Sequence, residues 1–235
     1  MNVFIVHAHP ERQSFNGALT EYARQTLERA GHKIQVSDLY AMAFNPVSDR
    51  RNFTTVKDPA YFKQQAEELH ATEVNGFAPE IATEMAKLEW CDALVLQFPL
   101  WWFSLPAVLK GWVDRVFAMG RIYGAGKWYD QGVFKGKRAM VSLTTGGPEP
   151  MYSTTGLNGD IDVILYPINH GILRFVGFDV LPPFIAWSVA RASADQRQQY
   201  LERYRQRLLA LWETPPIQYP TLNEYDETFR LKAPA

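Results

Sequence analysis

Short apolar segments and amphipathic segments alternate along the 235-residue chain. A continuous apolar run of a few residues is typical of a strand buried on both faces, whereas apolar residues three and four apart predict a helix. This pattern predicts five strands, at 2–7, 33–37, 92–98, 137–144 and 178–185. It predicts helices at 15–30, 105–117, 161–175 and 193–212.

The alternation predicts an α/β fold with a doubly wound, five-stranded parallel sheet, most simply in the flavodoxin-like strand order. Residues 38–73 do not fit this frame, because they are rich in aromatic residues and have little periodicity. A structureless loop of that length is improbable in a compact domain, so we expect it to be functional or to pack against a partner. We assign residues 1–213 to the flavodoxin-like domain and residues 214–235 to an extended C-terminal arm, whose aromatic residues suggest a second subunit.

Composition and charge exclude several classes of protein. The 24 lysines and arginines balance 25 aspartates and glutamates, so no charge excess indicates binding to nucleic acid or to an anionic membrane. No apolar run approaches the roughly 20 residues of a membrane helix, and the first residues lack the basic region of a signal peptide. The lone Cys91 cannot form an internal disulfide, which favours a reducing compartment. We therefore expect a cytoplasmic protein that inserts into no membrane.

Three of the predicted strands end in loops rich in aromatic, hydroxyl or glycine residues. These loops are His9–Asn16, Phe98–Phe103 and Thr144–Gly147. Because nucleotide-like ligands bind at the carboxyl ends of parallel strands, three such loops together predict a site for one large, planar, phosphorylated cofactor.

The first loop has the features of a phosphate site. Ser14, Phe15 and Asn16 begin a helix, where the free backbone N–H groups and the helix dipole favour a phosphate. His9 and Arg12 can add positive charge. An ordinary N-cap would also explain Ser14, and that alternative stays open. The loop lacks the G-x-G-x-x-G pattern of an ordinary dinucleotide-binding unit.

The second and third loops suggest how a flat ring would be held. Trp101, Trp102 and Phe103 lie between two prolines, and rings of this size at a strand end suggest a flat ligand to stack against; packing in the core or at an interface is the alternative. In Thr144–Gly147, two glycines let the backbone approach a ligand closely while two hydroxyls remain free to bond it. Tyr152 follows shortly after.

These residues resemble those of the flavin-dependent NAD(P)H:quinone oxidoreductases, the family of the mammalian DT-diaphorases and their bacterial relatives. The resemblance covers nearly the full length, and its blocks occur in matching order. The blocks are Ala8-His9 with Ser14-Phe15-Asn16, Ser37–Met42, Gln97–Leu100 with Trp102-Phe103, Leu109–Trp112, Thr144–Gly147, Met151–Ser153, Gly171–Leu173 and Gly177-Phe178.

The resemblance implies an obligate homodimer with one FAD per active site at the dimer interface. It implies that FAD is bound by His9, Gln13, Ser14, Phe15, Asn16, Pro99, Leu100, Trp102, Phe103, Thr144, Thr145, Gly146, Gly147, Tyr152, Arg197 and Leu201. It implies substrate contacts from Trp102, Phe103, Tyr123, Asn158 and Phe175. It implies catalytic roles for Tyr152, Asn158 and Gly147.

The implied reaction is ping-pong: NAD(P)H transfers hydride to flavin N5, leaves, and is replaced by a small-molecule quinone that accepts two electrons. The flavin carries the redox chemistry, and Gly147 N–H and the Tyr152 hydroxyl would stabilise the anionic reduced ring. Physical reasoning alone leaves FMN open. The long first loop and a polar last helix with Arg197 leave room for an adenosine and favour FAD.

The chain departs from the family pattern at three places. Asn158 stands where well-studied members have a histidine six residues after the tyrosine, so a proton relay through a cation is excluded. Ala125 replaces a second active-site tyrosine. His170 and Arg174 stand where some relatives have paired zinc-binding histidines, and since a cation is not a ligand we predict no metal site.

An alternative from another class is a flavin-bearing regulatory subunit of a potassium-efflux-type membrane transporter. It requires a surface dedicated to that partner, which the sequence does not single out. The sequence leaves open the choice between NADH and NADPH, and between quinone, azo and nitro acceptors.

Overall fold

The computed structural model describes residues 1–232 and contains one parallel sheet. Its strands are β1 (Asn2–His7), β2 (Lys33–Asp38), β3 (Ala93–Pro99), β4 (Arg138–Thr144), β5 (Asp179–Val180) and β6 (Phe184–Ala186). The strand order is β2-β1-β3-β4-β5, with β6 also paired to β4. This is the predicted flavodoxin-like order, and the predicted doubly wound α/β class is confirmed.

Helices cover both faces of the sheet. They are α1 (Phe15–Arg29), α2 (Gln64–Val74), α3 (Pro79–Trp90), α4 (Ala107–Val116), α5 (Ile161–Ile168) and α6 (Ala194–Leu209). Alternate strand residues face opposite sides, as the pleat requires. Val3 and Ile5 pack with α1 and α6, whereas Phe4 and Val6 pack with α3 and α4.

The chain between β2 and β3 is more regular than predicted. The 38–73 segment, whose sequence shows little periodicity, contains a 3₁₀ turn at Arg50–Asn52 and the start of α2. Helix α3 occupies a stretch for which no element was predicted. α2 exposes most of its surface and buries few apolar residues, so its sequence carries a weak helical pattern.

The predicted fifth strand, 178–185, is wrong as one continuous strand. It divides into β5 and β6, which pair with β4 at Arg138 and at Ser142 respectively. Pro182 and Pro183 lie between them and have no N–H to donate to the ladder, so the strand breaks there.

Arg115 holds the irregular part of the 38–73 segment against the sheet. Its buried guanidinium donates to Asn52 Oδ1 at 2.7 Å, to the Asn45 carbonyl at 2.7 Å and to Glu80 Oε1 at 2.6 Å. It also lies 5.1 Å from the centre of the Phe44 ring. One charged side chain therefore satisfies a backbone carbonyl and a side-chain amide of the irregular segment, and its charge is paired with Glu80.

The C-terminal arm returns to the body of the same chain. Ile217 N donates to the Val180 carbonyl at 2.7 Å, which ties the arm to the edge strand β5. Residues 215–220 form no helix or strand, and a bridge then joins Tyr225 to Leu231. Phe229 remains largely exposed. No helix within residues 1–232 is both long and apolar enough to cross a membrane.

Cys91, at the end of α3, is completely buried in the core on the α3 and α4 side of the sheet. Its sulfur donates to the Leu88 carbonyl at 3.2 Å. Cys91 therefore packs as part of the core.

We expect Trp112→Phe to lower the free energy of unfolding by about 2–4 kcal/mol. Trp112 Nε1 donates at 2.9 Å to Glu84, whose fully buried carboxylate also binds Ser37 Oγ and Lys87 Nζ. Phenylalanine removes this donor and leaves a gap. Denaturant titration measures the loss, and Trp128→Phe at the surface should change stability by no more than about 0.5 kcal/mol. Equal stability of the two variants would contradict this account of the core.

Candidate functional site

A cleft of about 700 Å³ lies at the carboxyl ends of β1, β3 and β4. All three loops singled out from the sequence contribute to it. Its lining residues are His9, Ser14, Phe15, Asn16, Pro99, Leu100, Trp101, Trp102, Thr144, Thr145, Gly146, Tyr152, Val189 and Ala190. This is the position at which open parallel sheets bind ligands.

A buried chain of hydrogen bonds joins the three loops beneath the cleft. Gln97 Nε2 donates to Asn16 Oδ1 at 2.9 Å, and Asn16 Nδ2 donates to Thr144 Oγ1 at 2.9 Å. All three side chains are buried. Asn16 therefore ties the start of α1 to the ends of β3 and β4, in addition to lining the cleft.

The first loop presents donors to the cleft. Ser14 Oγ accepts from Gly17 N at 3.1 Å and caps α1, so the N-cap interpretation of Ser14 is correct, while Ser14 also lines the cleft. Within residues 1–232 the backbone N–H groups of Phe15 and Asn16 have no partner. A Cβ at Gly17 would lie 2.0 Å from the Arg12 carbonyl oxygen, so the loop closes only over glycine. These free N–H groups fit a phosphate.

The third loop also presents unpaired backbone donors. Gly146 N and Gly147 N have no hydrogen-bond partner in the described part of the chain. A Cβ added at Gly146 would meet open space, so the backbone there is freely approached from the cleft. Thr145 Oγ1 donates to the Gly147 carbonyl at 2.7 Å, which fixes the turn.

Tyr152 stands beside this turn. A Cβ at Gly147 would lie 3.2 Å from the Tyr152 ring and 3.6 Å from its hydroxyl oxygen. The ring packs 5.3 Å from that of Trp187, and the hydroxyl has no hydrogen-bond partner among residues 1–232. The hydroxyl is therefore free to act together with the Gly147 N–H on one ligand edge.

The second loop forms a tight turn with unusual backbone angles. Ser104 N donates to the Trp101 carbonyl, and the two central residues, Trp102 and Phe103, have φ of 51° and 58°. Two positive φ values define a type I′ turn, which normally requires glycine or asparagine. Trp102 is 95% exposed, and Phe103, which was also predicted to bind the cofactor, is half exposed and is not among the residues that line the cleft.

Sequence reasoning missed part of the cleft wall. Trp101 lines the cleft, with its ring 6.0 Å from that of His9, although the predicted cofactor-binding residues of this loop were Pro99, Leu100, Trp102 and Phe103. Val189 and Ala190 follow β6 and line the opposite side. Their only sequence signal is their position just after the last strand, since their side chains carry no polar chemistry.

Several predicted site residues lie outside the lining of the cleft. Gln13 is exposed, and its backbone N donates to Glu11 Oε1. Arg197 Nη2 donates at 3.3 Å to the Val189 carbonyl, so it supports the wall from behind. Leu201 packs against the core cluster that includes α1. The backbone N of Asn158 donates to the Met151 carbonyl at 2.8 Å, and Asn158 does not line the cleft.

Tyr123 and Phe175 line a different pocket in the same chain. Their rings lie 5.7 Å apart, and the pocket has a volume of about 340 Å³. Its other lining residues are Ser48, Gln64, Glu68, Val113, Asp114, Phe117, Gly171, Ile172 and Val176. Within one chain, these two predicted substrate residues do not reach the cleft.

His170 lies in an aromatic cluster. Its ring stacks on Tyr166 at 4.7 Å and lies 5.2 Å from that of Tyr129. Burial, together with the charge of Arg174, lowers the pKa of His170. Within residues 1–232 no group of three or more His, Cys, Asp or Glu side chains has the geometry of a metal site.

Strand order, cleft position and free backbone donors together define a flavodoxin-like protein with a candidate ligand site at the carboxyl edge of its sheet. A family model described as a flavodoxin-like fold matches residues 1–208.

The relatives specify the branch of this class. The chain is 42% identical to NAD(P)H dehydrogenase (quinone) 1 of Cavia porcellus over 96% of this chain and 82% of that protein. It is 42% identical to the human ribosyldihydronicotinamide dehydrogenase (quinone) over 92% and 94% of the two chains. A Klebsiella pneumoniae structure assigned as a quinone reductase superposes with a TM-score of 0.96 at 40% identity, over 99% and 94% of the chains. The chain therefore belongs to the family of NAD(P)H:quinone oxidoreductases with a flavodoxin-like fold.

We expect Asn16→Ala to lower the free energy of unfolding by about 2–4 kcal/mol, because it leaves the Gln97 amide and the Thr144 hydroxyl buried without their partner. The exposed Asn223→Ala is the matched control and should change stability by no more than about 0.5 kcal/mol. Thermal and denaturant unfolding compare the two variants. If Asn16→Ala were as stable as Asn223→Ala, the buried hydrogen-bond chain would not hold the loops.

Proposed function

We propose that this chain is a flavoenzyme that reduces quinones with NAD(P)H and that its flavin is FAD. The observation that supports this most strongly is the convergence of three strand-end loops on one cleft, with unpaired backbone donors at both ends of it. Membership in the family, at 42% identity to quinone dehydrogenases over most of the chain, supports the oxidoreductase class.

The first loop would hold the phosphates. The free N–H groups of Phe15 and Asn16 stand at the positive end of the α1 dipole and can bind an anion without any rearrangement. The Ser14 hydroxyl, which already accepts from Gly17 N, retains its own proton for a phosphate oxygen. His9, beside this loop, adds a donor.

The second and third loops would hold the ring system. Pro99, Leu100 and Trp102 offer apolar surface, Gly146 lines the cleft, and the N–H groups of Gly146 and the adjacent Gly147 are unpaired within residues 1–232. When bound, FAD supplies the redox chemistry, accepting two electrons from NAD(P)H and delivering them to a quinone in a separate half-reaction. The Tyr152 hydroxyl and Gly147 N–H are preorganised donors for negative charge that develops at that edge.

Space beyond the cleft favours FAD over FMN. A second pocket, of about 290 Å³, lies along the loop of residues 187–192 that follows β6. Trp187, Ser188, Arg191 and Tyr200 are among its lining residues. Val189 and Ala190 of that loop line the cleft itself. An adenosine attached to the phosphates would have both this pocket and the Arg197 side of α6 available.

Homodimer formation is part of the proposal. Tyr123 and Phe175 line a pocket that shares no lining residue with the cleft of their own chain, so in this proposal they complete the site of a second copy. Val163 and Tyr166 on α5 expose apolar surface that a second subunit would cover. The alternative role as a regulatory subunit of a potassium-efflux transporter gains no support from the relatives described above.

We expect the purified protein to be yellow and to contain one FAD per chain. Acid extraction followed by chromatography identifies the flavin, and anaerobic addition of NADH and then benzoquinone should bleach and restore its absorbance. FMN alone in the extract would correct the cofactor. A colourless protein that FAD cannot reconstitute would contradict the proposed function.

We expect Tyr152→Phe to slow reduction of the bound flavin by NAD(P)H roughly ten- to hundredfold. The reason is the loss of one hydrogen bond to a charged group, worth about 1.5–3 kcal/mol at the transition state. FAD affinity should change little, because the phosphate loop and the ring contacts of Leu100 and Trp102 remain. Rapid mixing at several pH values measures the rate. Tyr204 is a fully buried tyrosine of α6, so Tyr204→Phe is the matched control, and its flavin should be reduced at the wild-type rate. An unchanged rate in Tyr152→Phe would leave the Gly147 N–H as the stabilising donor.

A further inference from the structure

The turn that carries Tyr123 is held from beneath by helix α2. Glu68 Oε2 accepts from Met119 N at 2.7 Å, and Glu68 Oε1 accepts from Gln64 Nε2 at 2.8 Å. The turn itself closes when Gly120 N donates to the Tyr123 carbonyl at 2.7 Å. The carboxylate of Glu68 thus fixes the first residue of a turn whose last residue is Tyr123.

Two further contacts bind the same turn to α2. Gln65 Nε2 donates to the Tyr123 hydroxyl at 3.3 Å. Gly120 has φ +90°, and a Cβ there would lie 2.8 Å from Leu69 Cδ2, so the backbone of the turn packs directly against the Leu69 side chain of α2. Glu68 and Gln65, which lie one turn apart on α2, therefore bind the two ends of the 119–123 turn.

Glu68 is an unusual group to find at this place. It is 3% exposed, and among residues 1–232 no cation lies within ion-pair distance of it. Burial raises the pKa of its carboxyl group. Its neighbour Glu67 is equally buried but accepts from Arg50 as well as from two backbone N–H groups. A buried carboxyl without a cation is costly to displace from its hydrogen bonds, which makes the position of Met119 N well defined.

We propose that Glu68 and Gln65 are positioning residues for Tyr123 and that they set the affinity of the pocket for its substrates. This inference rests on the proposed function, in which Tyr123 belongs to the substrate-binding wall. Glu68 and Tyr123 line the same 340 Å³ pocket, so a shift of the turn changes the shape of that wall directly. The residues act through Tyr123 and touch no reacting atom.

The kinetic test uses Glu68→Leu and Glu68→Gln in the FAD-loaded enzyme. Loss of the Met119 hydrogen bond in Glu68→Leu should raise KM for benzoquinone and for NAD(P)H about three- to tenfold, with kcat reduced less than twofold. Glu68→Gln retains an oxygen that accepts from Met119 N and should restore both KM values. In a Tyr123→Ala background, Glu68→Leu should have no further effect on KM. An equal rise in KM with and without Tyr123, or failure of the glutamine variant to restore it, would overturn the proposal.

Hydrogen exchange provides a readout that needs no turnover. The amides of residues 119–123 should exchange faster in Glu68→Leu than in the wild-type protein, and at the wild-type rate in Glu68→Gln. Glu67→Gln, which affects the 57–58 loop, is the control and should leave residues 119–123 protected. If Glu68→Leu does not fold, the exposed Gln65→Ala should raise KM about twofold through Tyr123 alone.

Different results would contradict the proposed function and the positioning role of Glu68. Wild-type protein that binds no flavin or turns over no quinone would contradict the proposed function, whatever the exchange data. Unchanged exchange at residues 119–123 in Glu68→Leu would overturn the positioning role, even in a fully active enzyme.

Discussion

The cleft depends on one buried chain of hydrogen bonds, which runs from Gln97 through Asn16 to Thr144. Gln97 lies near the end of β3, Asn16 at the start of α1 and Thr144 at the end of β4, so the chain joins three segments that are far apart in sequence. Because none of these polar groups is exposed to water, displacing one loop leaves another loop with an unpaired buried group. The free backbone donors at the start of α1 and at Gly146 therefore keep a constant separation, which a rigid ligand with a phosphate at one end and a flat ring at the other requires.

The fold could be predicted where burial leaves a clear pattern. Strands β1, β3 and β4 are buried on both faces, so their apolar runs located them within a residue or two. Helix α2 was not predicted, because most of its outward-facing residues are polar and it buries Glu67 and Glu68. Buried carboxylates leave no apolar periodicity in the sequence. The last strand was predicted in one piece because its apolar character continues through Pro182 and Pro183. The strand breaks there because proline has no N–H group to donate to the ladder.

The candidate site divides in the same way. Residues with their own chemical signature, such as Ser14, Asn16 and Thr144, lie together at the cleft, where strand-end position and residue type indicated them. Val189 and Ala190 could not be found, since they contribute only backbone and small apolar surface. Tyr123 and Phe175 were assigned through family resemblance, and within one chain they lie in the separate pocket of about 340 Å³. The left-handed turn at Trp102 and Phe103 was equally hidden, since neither residue type favours positive φ.

The burial of Cys91 has a chemical consequence for a protein whose proposed substrates are electrophiles. Quinones add readily to thiolates, and Cys91 is the chain's one cysteine. Burial raises the pKa of its thiol to about 12, so at neutral pH only about one molecule in 10⁵ carries the reactive thiolate. The sulfur also lies beneath α3, away from the cleft. The enzyme should therefore resist alkylation at cysteine by the quinones that it is proposed to reduce.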